Sequence, residues 1–364
     1  MAGLGLFRRS ALVAAIALMI PVGGAMASSS DTGAPGIGDR YYPDYGNGGY
    51  DVAHYGIDVS YVPATDELSG TTHVVAHATQ QLGQFDLDFV LPVSSVTVND
   101  RAASYTQGEH ELVVTPKREL RKGDRMDVVV TYAGVPSTIT SDGIKPWIKT
   151  GDGAAAVGEP EIAAWWYPSN DHPRDKASYN VKVTVARDLE ALGNGVLVSH
   201  RASSGQRTWH WRERKPMAPY LAFFVVGQFD ITQSTSRSGL PVVTAVASNG
   251  GSEGTYAAGD LKRTPEVLAF ESRQWGRYPF DAQGGVAPAA DFGFALENQT
   301  RPVYTRGFWR NGSNIYVIVH ELAHQWYGDS VSVRNWRDIW LNEGFASFTE
   351  WLWSEKHDEG TGKQ

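Results

Sequence analysis

A chain of 364 residues is long enough for two domains, and with 42% hydrophobic and 11% aromatic residues it can fill a substantial core. Its net charge of −8, with no basic block, argues against nucleic acid as a partner. It has no cysteine, which excludes disulfides and thiolate metal sites, so any zinc must be held by histidine and carboxylate.

Residues 1–27 read as a signal peptide. Arg8 and Arg9 supply positive charge, residues 11–20 form a short apolar run, and Ala25-Met26-Ala27 is an A-x-A cleavage pattern. A membrane span needs about 20 apolar residues, so a secreted, extracellular protein without a stable span is expected, beginning at Ser28. Residues 28–49 are rich in Gly, Ser, Asp and Pro without apolar periodicity, the composition of a flexible leader.

From Tyr50 the pattern alternates. Runs such as YDVAHYGIDVSYVP, THVVAHAT, MDVVVTYAG, YNVKVTVA and YLAFFVVGQFD are rich in Val, Thr and aromatics. Turn signals such as Asn99-Asp100 and Gly193-Asn194-Gly195 punctuate them. Residues 50–234 are therefore expected to form an antiparallel, β-sandwich-like domain. Within it, VGEPEIAAWWYPSNDHPRDKASY (157–179) reads as a loop whose Trp165 and Trp166 need burial.

Beyond Gly239 the period changes to 3.6. The stretch 255–275 suits a helix, with Pro265 tolerated only near its start or at a kink. In the stretch 313–328, SNIYVIVHELAHQWYG, the residues Ile315, Val319, Leu322 and Trp326 share one helical stripe. His320 and His324 stand one turn apart on the other side, so both imidazoles can reach one ion. Val317, Ile318 and Ala323 make this helix apolar nearly all round. An unpaired polar group in such surroundings costs roughly 2–7 kcal/mol, which bound zinc would relieve. A second helix is expected from about Asp338. On it Phe345, Phe348 and Leu352 share one face and Glu343, Ala346, Ser347 and Glu350 another, so Glu343 can turn toward the histidines. His320, His324 and Glu343 would be the ligands of one Zn2+, leaving a fourth position for water, and Glu321 the general base. Asp329 and Asp338 are candidates for orienting an imidazole, beside surface or capping roles.

HELAHQWYGDSV, with WLNEGFASF after it, resembles the zinc aminopeptidases of the aminopeptidase N family, which are gluzincins. FALEN (294–298) resembles the family's G-A-M-E-N motif, with Phe294 for the first Gly and Leu296 for Met. The stretch 158–179 resembles the segment ending in P-C-x-D-x-P-x-x-K-A, with Ser169 in the Cys position. The resemblance implies an α+β multidomain chain, with a thermolysin-like catalytic domain over 235–364. It also implies that Glu297 and Glu159 bind the free N-terminus of peptide substrates, with Ala295 beside them. Glu161 is a near alternative to Glu159. The family's oxyanion-stabilising tyrosine lies about sixty residues past the third ligand, and with the helical C-terminal domain it would fall beyond Gln364. The catalytic domain therefore reads as truncated and incomplete. Two competing readings are an impaired fragment that only binds peptides, and an epoxide hydrolase of the leukotriene-hydrolase branch.

Overall fold

The computed structural model of the chain describes residues 31–141 and 143–358; the expected signal peptide lies outside them. The N-terminal half is built on an eight-stranded sheet. From edge to edge it runs Val196–Ser203, Gln206–Met217, Ala177–Ala186, Tyr50–Val62, Glu67–Ala78, Arg125–Gly134, Val93–Val98 and Arg101–Ala102. Alternation does the work expected of it. In Tyr50–Val62, Tyr55, Ile57, Val59 and Tyr61 are buried while their neighbours are more exposed. Pairing in this sheet is antiparallel except between Tyr50–Val62 and Ala177–Ala186, which run parallel. A parallel pair needs a long crossover. That crossover contains a three-stranded sheet and two strands of a four-stranded one, and the loop before Ala177 ends it. Trp165 and Trp166 are fully buried in the shared core.

The stretch expected to be a flexible leader is held against the rest of the chain at several points where it is described. The Gly33 N–H donates to Gln84 O at 2.8 Å, and Asp39, Tyr45 and Asn47 are buried. Asn47 donates to Asp88 at 3.1 Å. Its composition forbids regular structure but not order, because tertiary hydrogen bonds satisfy its polar groups.

The C-terminal half carries a five-stranded sheet in the order Phe229–Thr235, Pro241–Ala247, Gln283–Ala287, Val303–Tyr304, Ala295–Leu296. The hairpin between the first two straddles the expected boundary at 234/235, so this sheet starts at Phe229. Instead of one helix over 255–275 there are two, α1 (Gly251–Leu261) and α2 (Thr264–Trp275), with Pro265 in the first turn of α2. There its missing N–H costs nothing. Then follow α3 (Ile315–Ala323) and α4 (Trp340–His357). The face of α4 with Ala346 turns inward together with Asn342, Thr349 and Trp353, whereas Phe348 and Trp351 are exposed. On this inward face Trp353 packs against Phe270 of α2. Among the described residues no helix is long and apolar enough to cross a membrane.

Buried Arg301 joins the two halves. It donates to the carbonyls of Gly193 and Gly195 on one side and Val243 on the other, with its guanidinium 4.6 Å above the Trp211 ring.

Candidate metal centre

α3 is buried by Ile315, Val317, Ile318, Val319, Leu322 and Ala323, so its lengthwise position is fixed by packing. After His324 the chain turns sharply, and Gly328 takes φ 140°. A side chain there would crowd the His324 backbone oxygen and ring, at 3.3 and 3.4 Å from its Cβ.

α4 returns across α3 and places Glu343 against both imidazoles. Glu343 Oε2 lies 3.2 Å from His320 Nε2, and Oε1 lies 3.6 Å from His324 Nε2. One ligand atom from each of the three residues falls within 4.8 Å of the others, the only such group among the described residues. Each ring is held through its other nitrogen. His320 Nδ1 bonds Glu350 Oε1 at 2.6 Å, and His324 Nδ1 bonds the Tyr327 carbonyl at 3.1 Å. Both Nε2 atoms are thereby left facing one point, the preparation that a ligating histidine requires.

The carboxylates around His320 favour its protonated ring, so a metal ion would bind there in exchange for a proton. Burial alone would lower the His320 pKa, but hydrogen bonds to Glu343 and Glu350 raise it to about 10. For Glu343 burial pushes upward, and the His320 hydrogen bond and the charges of His324 and His320 more than offset it, holding its carboxyl below the usual range. Two imidazoles and an oxygen donor without any thiolate suit zinc.

Glu321 is buried at 6% exposure. Burial pushes its carboxyl well up; His320 offsets part of this, and the charges of Glu297, Glu343 and Glu350 add to it. Glu297 is buried at 3% exposure, with Oε1 accepting the Tyr220 hydroxyl at 2.9 Å. Glu159 is raised by burial first and then by the charges of Glu297, Glu343 and Glu321, and its Oε1 is buried without a hydrogen-bond partner. The charges of Glu159, Glu297, Glu321 and Glu343 thus act on one another. Ala295 begins the edge strand of the five-stranded sheet, where it pairs with Tyr304.

Neither aspartate proposed to orient an imidazole does so. Asp329 accepts Gln325 Nε2 at 2.7 Å, and Asp338 lies 3.7 Å from Arg337. Glu350 and the Tyr327 carbonyl take that part instead. Glu350 had a signal in the sequence, since it shares the helical face of Glu343, seven residues on. Tyr220 had none. Gln325 also ties the site together: its Nε2 donates to Glu297 O at 3.0 Å, and its Oε1 accepts the Thr300 N–H at 2.7 Å.

The Peptidase M1 N-terminal domain matches residues 52–221, and the Peptidase family M1 domain matches 305–363. Glutamyl aminopeptidase of Rattus norvegicus is 33% identical over 230 residues, covering 59% of this chain and 23% of that protein. Aminopeptidase M1 of Arabidopsis thaliana is 25% identical over 317 residues, covering 75% and 35%. The chain thus spans at most about a third of the length of such curated relatives. An M1 zinc metallopeptidase from Deinococcus radiodurans superposes with a TM-score of 0.80 at 29% identity, over 89% of this chain and 75% of that one. A variant of it bound to a Tyr-Ser-Ala substrate gives 0.78 at 28%, over 89% and 75%. The two domain matches together cover over half of the chain and include the H-E-x-x-H helix, so the chain belongs to peptidase family M1.

Proposed function

We propose that the chain is a zinc-dependent aminopeptidase that hydrolyses the peptide bond next to a free N-terminal amine. The observation that carries this is the meeting of His320, His324 and Glu343 at one point, and buried Glu321, Glu159 and Glu297, whose charges act on one another, support it. His320 Nε2, His324 Nε2 and Glu343 would hold one zinc ion. When bound, zinc polarises a carbonyl and acidifies water.

The remaining chemistry falls to the chain's own groups. Glu321, with its raised pKa, takes a proton from the attacking water and returns it to the leaving amine. Glu297, held by Tyr220, and Glu159, with one buried oxygen unpaired, receive the α-ammonium of the peptide. An internal peptide bond brings no such charge and leaves these carboxylates unpaired, which disfavours endopeptidase action. The edge strand at Ala295 offers backbone groups to an extended substrate. The tripeptide bound by the Deinococcus radiodurans neighbour supports the same substrate class. Residues 1–27 would direct export, and N-terminal sequencing of secreted protein should return Ser28.

Purified chain should contain one zinc and release a fluorogenic amine from aminoacyl amides. Glu321→Gln should lower kcat about 10²- to 10⁴-fold while zinc content stays unchanged. Zinc-loaded protein without Glu321-dependent turnover would leave only a peptide-binding role. Cleavage of N-acetylated substrates as fast as free ones would refute the part given to Glu159 and Glu297.

A further inference from the structure

The connection between α3 and α4, residues 329–336, is gripped from outside by the N-terminal half. Lys176 Nζ donates to the carbonyls of Asp329 and Ser330 at 2.5 and 3.1 Å. Arg174 donates to Arg334 O at 3.1 Å and Asn335 Oδ1 at 2.7 Å, and also to Ile37 O at 3.3 Å. Asp39, from the stretch read as a leader, completes the grip. Its Oδ2 accepts the Trp336 N–H at 2.8 Å, and its Oδ1 accepts the N–H groups of Tyr41 and Tyr42 at 2.8 and 3.2 Å. His172 keeps the carboxylate in place. Its Nδ1 accepts the Arg174 N–H at 3.2 Å, which leaves Nε2–H to donate to Asp39 at 3.3 Å.

Trp336 opens the short turn Trp336–Asp338 that feeds α4, and Glu343 sits in the first turn of α4. Neither the turn nor α4 has a side-chain cap of its own, from Asn335 or from Ile339. Asp39 therefore serves as an N-cap supplied from 297 residues away. The Trp336 ring is buried edge-on against Tyr42, His172 and Tyr220, and Tyr220 is the residue that holds Glu297.

We propose that Asp39, with Arg174 and Lys176, is a positioning set for the metal centre: it fixes where α4 begins over α3 and so sets Glu343 against His320 and His324. This rests on the metal-binding reading above. The segment ahead of the β-domain thereby becomes part of the machinery of the distant half. The set acts through backbone groups of residues 329–336 and the Asn335 side chain.

The test compares Asp39→Ala and Arg174→Met with Tyr41→Ser, a residue 64% exposed whose backbone N–H bond to Asp39 the substitution keeps. Zinc dissociation constants come from chelator competition, and amide exchange is read by mass spectrometry. Both clamp variants should bind zinc about tenfold more weakly or worse. Exchange should quicken across residues 336–345 while the strands Tyr50–Val62 and Ala177–Ala186 keep their protection, and Tyr41→Ser should change neither readout. The side chain of Arg174 is exposed, so Arg174→Met carries the test if Asp39→Ala does not fold. Unchanged zinc affinity in the clamp variants, beside a parent that binds zinc, overturns the inference, as does protection lost evenly across both halves. A parent chain that takes up no zinc overturns the metal reading itself.

Discussion

His320 has two nitrogens with separate tasks, and each is settled by a different carboxylate of α4. Glu350 takes Nδ1 and Glu343 faces Nε2. Replacing Glu350 by Gln keeps the shape but removes the charge that makes the ring a better donor. Glu350→Gln should weaken zinc binding 10- to 100-fold by chelator competition, with the fold intact by circular dichroism. Tyr220 plays a comparable part for Glu297, whose Oε1 it bonds at 2.9 Å. A hydrogen bond to a charged group contributes about 1.5 kcal/mol, roughly a factor of ten. Tyr220→Phe should therefore raise KM about tenfold for substrates with a free amine and leave kcat nearly unchanged, which steady-state kinetics would show.

At the scale of elements, α4 holds its place through Asn342, Ala346, Thr349 and Trp353. Trp353 is fully buried, with its ring 5.2 Å from Phe270 and stacked at 3.8 Å on His357. Trp353→Ala would leave a cavity between α2 and α4 and should cost about 3–5 kcal/mol, read as a lower urea midpoint. A retained midpoint would mean that α4 contributes little to cooperative unfolding. The break between α1 and α2 has a simpler origin. Pro265 cannot donate to a preceding carbonyl, so it opens a new helix instead of continuing the old one.

For the whole molecule, buried acids shape stability against pH. Asp175 sits where the leader, the first strand and the 170–176 loop meet, accepting the Val52 N–H at 3.1 Å and Asn170 Nδ2 at 2.6 Å. Burial raises its pKa to about 7, with the Val52 and Asn170 hydrogen bonds opposing. The unfolded value is near 3.9, so its contribution is fully present below about pH 4 and is lost as pH rises through about 7. Asp175→Asn removes that titration. Urea midpoints measured at pH 5 and pH 8 should fall less between the two conditions in the variant than in the parent. An equal fall in both would show that Asp175 does not titrate in this window.

What the sequence determined by itself was everything carried by local repetition. The step of four residues puts His320 and His324 on one side of a helix, and alternation with a period of two yields the strands of the β-half. Those signals survive folding because each residue's direction follows from its own backbone. The tertiary structure decided what depends on distant segments meeting. It packed the supposed leader, turned Phe348 outward, set Glu350 rather than Asp329 or Asp338 on an imidazole, and brought Tyr220 to Glu297. A hydrogen bond between Asp39 and Trp336 spans 297 residues and leaves no local pattern, because its geometry exists only once both halves have folded together.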